Sequence, residues 1–301
     1  MGTHSFRIEV LKNPVFAIDG VSVRDPAAIW HDGVCYLYYT RHIGGWGKAA
    51  SWDIGVVATP DMREFTPERI ITPRGYASPG NVVRVGNRWV MPIQSYPWPS
   101  EIALMFSDDL VNWSEPKHVI PADTGPAWGA EHGPIDGWLF RYRERWHCAW
   151  VNTLRGTDHR AFGIHASDDL VAWENLTPDG SFIDGGAYND NGGVENCAIL
   201  REGGVWHFFA SVGMQPQHLA HVAGDDPFEL PPLTPETELK LPEEPWCAHS
   251  QSAVFVDDWR EVCGRFAMIF HGLTASKGQA TFGLAFSDDL WKWSAPGPER
   301  R

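Results

Sequence analysis

The sequence predicts an all-β protein, a five-bladed β-propeller in which each blade is a four-stranded antiparallel sheet. Three observations predict it. A short phrase returns five times along the chain, an apolar hairpin and a third strand precede each return, and helical periodicity is nearly absent. The clearest copies are Phe106-Ser107-Asp108-Asp109-Leu110-Val111-Asn112-Trp113, Ala166-Ser167-Asp168-Asp169-Leu170-Val171-Ala172-Trp173 and Phe286-Ser287-Asp288-Asp289-Leu290-Trp291-Lys292-Trp293. Weaker copies begin at Ala58 and Ala223. In each, a strand ends, aspartates build an Asx-type turn, and an aromatic plugs the core three or four residues later. The repeat period lies near the upper end for propeller blades.

The first blade runs over residues 27–30, turns at His31-Asp32-Gly33, returns over 34–40 and adds a third strand at 54–58. The second runs over 82–85, turns at Gly86-Asn87, returns over 88–94 and adds 102–106. The third pairs 138–140 with 145–152 and adds 162–166; the fourth folds 196–211 on itself and adds 219–223; the fifth folds 253–272 and adds 282–286. Asp-Gly and Gly-Asn between apolar runs are strong hairpin signals. The repeated phrase starts the outer, fourth strand. The proline-rich stretch 230–245 connects two blades, so residues 1–301 read as one domain.

Composition narrows the partners. A formal net charge of −14 argues against nucleic acid and anionic membranes, which need a basic patch. No apolar run approaches a membrane span. The 16 tryptophans are far above expectation and suit a carbohydrate cleft, where flat rings stack on sugar faces. The cysteines Cys35, Cys148, Cys197, Cys247 and Cys263 lack CxxC spacing, which argues against zinc. The opening Met1-Gly2-Thr3-His4-Ser5-Phe6-Arg7 has no basic n-region and no apolar h-region, so a cytoplasmic protein is expected. Nothing in the sequence specifies an oligomeric state.

In a propeller the innermost strands line the central channel, so the residues leading into them converge. These are Arg24-Asp25-Pro26, Ser78-Pro79-Gly80-Asn81, Pro134-Ile135-Asp136-Gly137, Val194-Glu195-Asn196 and Ala248-His249-Ser250-Gln251. Three of the five carry a carboxylate: Asp25, Asp136 and Glu195. They lie about two repeat periods and then one period apart. Gly192-Gly193 frees the backbone ahead of Glu195 to bring that side chain close to a ligand. Glycoside hydrolysis wants such a set, one carboxylate as base and one carboxylic acid as proton donor. Crowded carboxylates raise one another's pKa, which keeps one protonated near neutrality. Asp25 and Asp136 also read as turn residues, whereas Glu195 has little structural reason to be charged. Trp30, Trp46, Trp98, Trp128 and Trp246 are candidate stacking platforms, with core packing as the competing role for each. His132 and His249 are candidate sugar contacts, and the paired aspartates of the repeated phrase are structural.

The chain resembles glycoside hydrolase family 43, with five-bladed relatives in families 32, 62, 117 and 130, over nearly its whole length. Asn13-Pro14-Val15-Phe16, Arg24-Asp25-Pro26-Ala27-Ala28-Ile29 and Gly33-Val34-Cys35-Tyr36-Leu37-Tyr38-Tyr39-Thr40 look like that family's opening blade. The resemblance implies that Asp25 is the general base, that Asp136 tunes and orients the acid, and that Glu195 is the general acid. It also implies that His249, ahead of Ile269-Phe270-His271-Gly272, meets a channel ion (calcium or another) or a water; no cofactor is required. Two features depart from the pattern. Asn196-Cys197 follows the acid where family 43 has Gly or Ala and then Pro, and Glu-Asn-Cys with Arg-Asp-Pro is similar to family 32. The early Asn-Asp-Pro of family 32 is not matched, because Asn13 is followed by Pro14. The implied activity is inverting release of a terminal pentosyl unit, α-L-arabinofuranosyl or β-D-xylosyl, from a plant-type oligo- or polysaccharide. Action on fructosides, anhydrogalactosides or mannosides stays open, as does carbohydrate binding without catalysis.

Overall fold

Short runs of alternating and apolar residues separated by Gly and Asp turns pair locally, each with the next, and the chain folds accordingly. The computed structural model describes residues 7–44, 51–214, 216–241, 244–275 and 278–297. Its strands form five antiparallel sheets arranged as the blades of a ring. The first sheet holds β1 (Ser22–His31), β2 (Val34–Ile43), β3 (Ser51–Thr59) and β4 (Arg69–Ile70). The second holds β5 (Tyr76–Ala77), β6 (Val83–Val85), β7 (Arg88–Ser95), β8 (Ile102–Ser107) and β9 (Lys117–Ile120), with β5 and β6 as two pieces of one inner strand pairing β7. The third holds β10 (Ile135–Tyr142), β11 (Arg145–Thr153), β12 (Arg160–Ser167) and β13 (Glu174–Asn175). The fourth holds β14 (Val194–Glu202), β15 (Val205–Val212) and β16 (His218–Gly224); the fifth holds β17 (Ser250–Trp259), β18 (Arg265–Leu273) and β19 (Thr281–Ser287).

The expectation of four strands in every blade fails in the last two. There the fourth partner shrinks to single bridges: Ala220 to Glu238 in the fourth blade, and Phe286 to Ser294 in the fifth. Pro227, Pro231, Pro232 and Pro235 explain the fourth blade, since proline cannot donate to a ladder. In the fifth, the other end of β19 pairs with the N-terminal segment. Val15 N donates to Phe282 O at 2.8 Å, Phe282 N to Phe16 O at 2.9 Å, and the Asn13 amide bonds Leu284 in both directions. That segment closes the ring by tying the start of the chain to its last blade.

The repeated phrase forms the same turn in four blades. Ser107 Oγ accepts from Leu110 N at 2.9 Å, and Asp109 Oδ1 accepts from Val111 N and Asn112 N at 2.9 and 2.7 Å. Ser167 with Asp169, Ser287 with Asp289, and Thr59 with Asp61 repeat the pattern. The apolar residue that follows, Met62, Leu110, Leu170 or Leu290, is buried with φ between 58° and 67°. A left-handed L-residue costs on the order of 1–2 kcal/mol, which burying that side chain and satisfying four turn groups offsets. The fourth blade has Pro227 there, which cannot take positive φ; one bond of the turn, Asp226 Oδ1 from Phe228 N, remains.

At the other end of the blades a second set of irregularities faces the axis. The register of β1 on β2 slips between Arg24 and Ala27, that of β10 on β11 between Ile135 and Trp138, that of β14 on β15 between Glu195 and Cys197, and that of β17 on β18 between Ser252 and Phe255. Each slip is a β-bulge, which re-aims a side chain. One residue per blade sits in it with positive φ: Asp25 (49°), Ser78 (48°), Asp136 (55°), Asn196 (42°) and Ala253 (52°). Three of the N–H groups so displaced are taken by the second strand of the preceding blade. Ser78 N donates to Thr40 Oγ1 at 2.7 Å, Asp136 N to Gln94 Oε1 at 2.7 Å, and Ala253 N to Ser211 Oγ at 2.8 Å. Blades approach closely here: a Cβ on Gly80 would run into the carbonyl oxygen of Gly137. No helix among the described residues is long and apolar enough to cross a membrane.

Candidate active site

The five bulge residues line a water-sized cavity of about 20 Å³. Asp25, Ser78, Asp136 and Asn196 also line a wider cavity of about 420 Å³, which includes Glu195 in its wall. The three predicted carboxylates therefore converge on one space, as their positions ahead of the inner strands require. They are not at equivalent positions. Asp25 and Asp136 occupy the bulge itself, whereas in the fourth blade the bulge residue is Asn196 and Glu195 precedes it by one.

Asp136 is the most enclosed of the three, 9% exposed. Burial first, and then the charge of Asp25, push its carboxyl up to about 7. The Ser78 side chain and Asn196 N, the latter at 3.4 Å from Oδ2, favour its ionised form and temper the rise. Ser78 Oγ lies 3.2 Å from Asp25 Oδ2, so a hydroxyl with one proton to give stands between the acids of the first and third blades. Glu195 is held by two donors: Arg160, in an ion pair with Oε1, and Gln217 Nε2, 2.7 Å from Oε2. Gly192 and Gly193 have φ of 82° and 80°, and a Cβ on Gly193 would collide with the Arg160 backbone. The two glycines thus bring Glu195 against the strand that carries Arg160, where the sequence suggested an approach to a ligand.

Two guanidinium groups line the cavity. Burial lowers the proton affinity of Arg24, and Asp25, Asp136 and Tyr96 work against that. Arg160 is likewise lowered by burial and supported by Asp136. One wall is aromatic. Trp52 lies flat on His42, centroids 4.0 Å apart, and meets Tyr96 at 4.6 Å; Trp98 stands beyond Tyr96 at 6.4 Å. Trp98 is 46% exposed at the mouth, and the His132 ring meets it edge-on at 4.6 Å.

Of the predicted sugar contacts, Trp98 and His249 line the wide cavity. His132 stands behind Trp98, in a small recess it shares with Arg160. Trp30 lies at the far end of β1, edge-on to Trp259, and packs there. Trp128 is fully buried against Trp150 with its Nε1 donating to Thr177 O at 2.7 Å, so it is core. Trp246 stacks on Phe270 and covers Gly272 and Gly283, which also makes it core. Trp46 lies outside the described residues. For the expected ion, no group of three His, Cys, Asp or Glu side chains among the described residues surrounds a common point. His249 precedes the fifth inner strand, four residues before its bulge at Ala253. The other fifth-blade histidine, His271, is buried with Nε2 at 2.7 Å from Ser252 Oγ.

Arg160, Gln217, Trp52 and Tyr96 escaped the sequence reading, which looked at the loops leading into first strands. Second strands end, and third strands begin, on that same face of an antiparallel blade. Trp52 and Arg160 open third strands, Gln217 stands one residue before another, and Tyr96 follows the second strand of its blade. The loops between second and third strands were the signal.

No protein-family model matches the chain, and no curated protein sequence matches it. Solved structures match in fold. A thermostable family-43 glycoside hydrolase superposes with a TM-score of 0.65 at 15% identity, covering 96% of both chains. An α-L-arabinofuranosidase from Lactobacillus brevis gives 0.65 at 12% identity, covering 96% of this chain and 98% of its own. A GH32 β-fructofuranosidase from Bombyx mori gives 0.64 at 17% identity, covering 92% of this chain and 63% of its own. The chain shares the five-bladed fold of family-43 glycoside hydrolases and other glycosidase propellers.

Proposed function

We propose that the protein is an inverting glycoside hydrolase that releases a terminal pentosyl unit, α-L-arabinofuranosyl or β-D-xylosyl, from a plant-type oligo- or polysaccharide. The observation that carries this reading is the convergence of Asp25, Asp136 and Glu195, from three blades, on one cavity with an aromatic wall. Asp25 takes a proton from water as the water oxygen bonds to the anomeric carbon. The glycosidic C–O bond breaks as its electron pair goes to the leaving oxygen, which takes the proton of Glu195. Asp136, beside both, adjusts the field in which that proton moves. The arabinofuranosidase among the structural neighbours supports a pentose. The fructofuranosidase, together with the Glu195-Asn196-Cys197 run, favours a fructoside as the second reading.

A panel of aryl glycosides, with sucrose as the fructoside, tests this, and NMR of the first-formed anomer reads the stereochemistry. Turnover of an arabinofuranoside or xyloside with inversion is expected. Sucrose alone as substrate would move the assignment to the second reading. Retention would remove the mechanism, and binding of sugars without turnover of any would leave a lectin.

A further inference from the structure

We propose that Arg160 and Gln217 are positioning residues that clasp Glu195, fixing its orientation and setting how tightly it holds its proton. This rests on the glycosidase reading above for its role in catalysis. Both oxygens of the carboxylate are engaged, Oε1 by the Arg160 guanidinium and Oε2 by Gln217 Nε2 at 2.7 Å. The guanidinium and the amide NH2 of Gln217 both donate here, so each bond favours the ionised carboxylate. Neither belongs to Glu195's own strand: Arg160 opens β12 in the third blade, and Gln217 leads into β16. The Met214 sulfur, a weak acceptor, takes a long hydrogen bond from each arm, 3.9 Å from Arg160 Nη1 and 3.8 Å from Gln217 Nε2. The Arg160 and Glu195 side chains are 19% and 18% exposed, so solvent screens the pair less than a surface one.

The remaining charged and titratable groups on this cavity are Asp25, Asp136, Arg24, Tyr96 and His249. Arg24 faces Asp25 and Asp136, and Arg160 faces Asp136 as well as Glu195. Asp136 acts the other way from Arg160, since a second negative charge favours the protonated form of Glu195. Each carboxylate oxygen keeps a second acceptor site, so the clasp orients Glu195 and leaves it able to carry a proton toward a leaving-group oxygen.

The test needs no substrate. In protein labelled with ¹³C at the glutamate carboxyls, the Glu195 resonance is the one lost in Glu195→Gln, and its titration midpoint is read in each variant. Arg160→Met, matched in length, should raise that midpoint by about one to three pH units, the scale of a neighbouring opposite charge. Arg160→Lys should restore most of the original value, and Gln217→Met should raise it by less than Arg160→Met. Circular dichroism checks that each variant is folded. An unchanged midpoint in folded Arg160→Met, or in Gln217→Met should Arg160→Met not fold, overturns the clasp. With an active substrate, the alkaline limb of kcat/KM should move upward in Arg160→Met by the same amount. A rise in KM with the limb unmoved would make Arg160 a sugar contact and overturn the assignment. Absence of any turnover would remove the glycosidase reading, while the titration would still decide the clasp.

Discussion

The rim and the axis of this propeller both repeat a left-handed residue from blade to blade, and they treat side chains in opposite ways. At the rim, the residues with positive φ are Met62, Leu110, Leu170 and Leu290, all apolar, all buried, each preceded by the same hydroxyl and aspartate. At the axis they are Asp25, Ser78, Asp136, Asn196 and Ala253, five residues with almost nothing in common. The rim copies are alike because one packing problem is solved several times. The axial copies share a backbone and differ in chemistry because they surround one cavity and divide its tasks. Repeated residues on a repeated backbone mark scaffold, and different residues on a repeated backbone mark a site.

The sharpest way to break this contrast is to exchange one carboxylate at each place. Asp25→Asn or Glu195→Gln should lower kcat/KM on unactivated glycosides by about 10²–10⁴, the scale of a lost general base or acid, in protein that circular dichroism shows to be folded. Glu195→Gln should spare activated aryl glycosides, whose leaving groups need less proton assistance. Asp109→Ala should leave kcat/KM unchanged and cost about 1 kcal/mol of stability, as a lost turn cap does. Equal activity losses at Asp25 and Asp109 would erase the distinction.

The rim was easy to read for this reason. The aspartates of the three clear copies repeat in the letters of the sequence, and their turns appear where the letters place them. The axis was legible only in part. Asp25, Asp136 and Glu195 were found because each precedes an apolar strand, but the one-residue offset of Glu195 depends on the bulges, which leave no mark in residue type. The tryptophans were least legible, since an indole at a strand end is equally suited to core or cleft. Trp98 faces the cavity and Trp128 is fully buried. Removing the latter, Trp128→Ala, should cost about 3–5 kcal/mol, seen as a large fall in melting temperature. A small fall would mean that this part of the third blade collapses around the gap.

The two regions should also answer pH with opposite signs. Hydrogen bonds from Asn112 and Val111 hold the Asp109 carboxyl down to about 2. A lowered folded value stabilises above the unfolded one, near 3.9, and that contribution is lost as pH falls from about 4 toward 2. It is small, because the side chain is exposed. Asp136 is pushed up to about 7. Between about pH 4 and 7 the folded protein binds a proton there that the unfolded chain has lost, so stability from this group declines as pH rises through that window. Asp136→Asn should remove the decline and raise the melting temperature at pH 8 by several degrees. The same variant bears on catalysis. With the carboxyl half protonated near neutrality, the charge of Asp136 supports the acid form of Glu195 fully only above about pH 7. The alkaline limb of kcat/KM should therefore move downward in Asp136→Asn. An unmoved limb with the decline in stability removed as expected would make Asp136 a turn residue of the bulge.

The smallest expected effect lies where the cavity meets solvent. Trp98 is 46% exposed and supported edge-on by His132, so its removal costs little packing. What it offers is a flat face beyond Tyr96 and Trp52, outward from the carboxylates. On the proposed mechanism the terminal unit sits between Asp25 and Glu195, and a sugar stacked on Trp98 is then on the leaving-group side. Stacking on an aromatic face is worth about 0.5–1.5 kcal/mol beyond the area it buries, which corresponds to a KM about 2–10-fold higher in Trp98→Ala. That rise should appear with oligosaccharides and be absent with aryl monoglycosides, whose leaving group does not extend to the mouth. The melting temperature and kcat should not change. A KM that rises equally for both substrates would place Trp98 against the terminal sugar, and the assignment of the aromatic wall to the leaving group would be reversed.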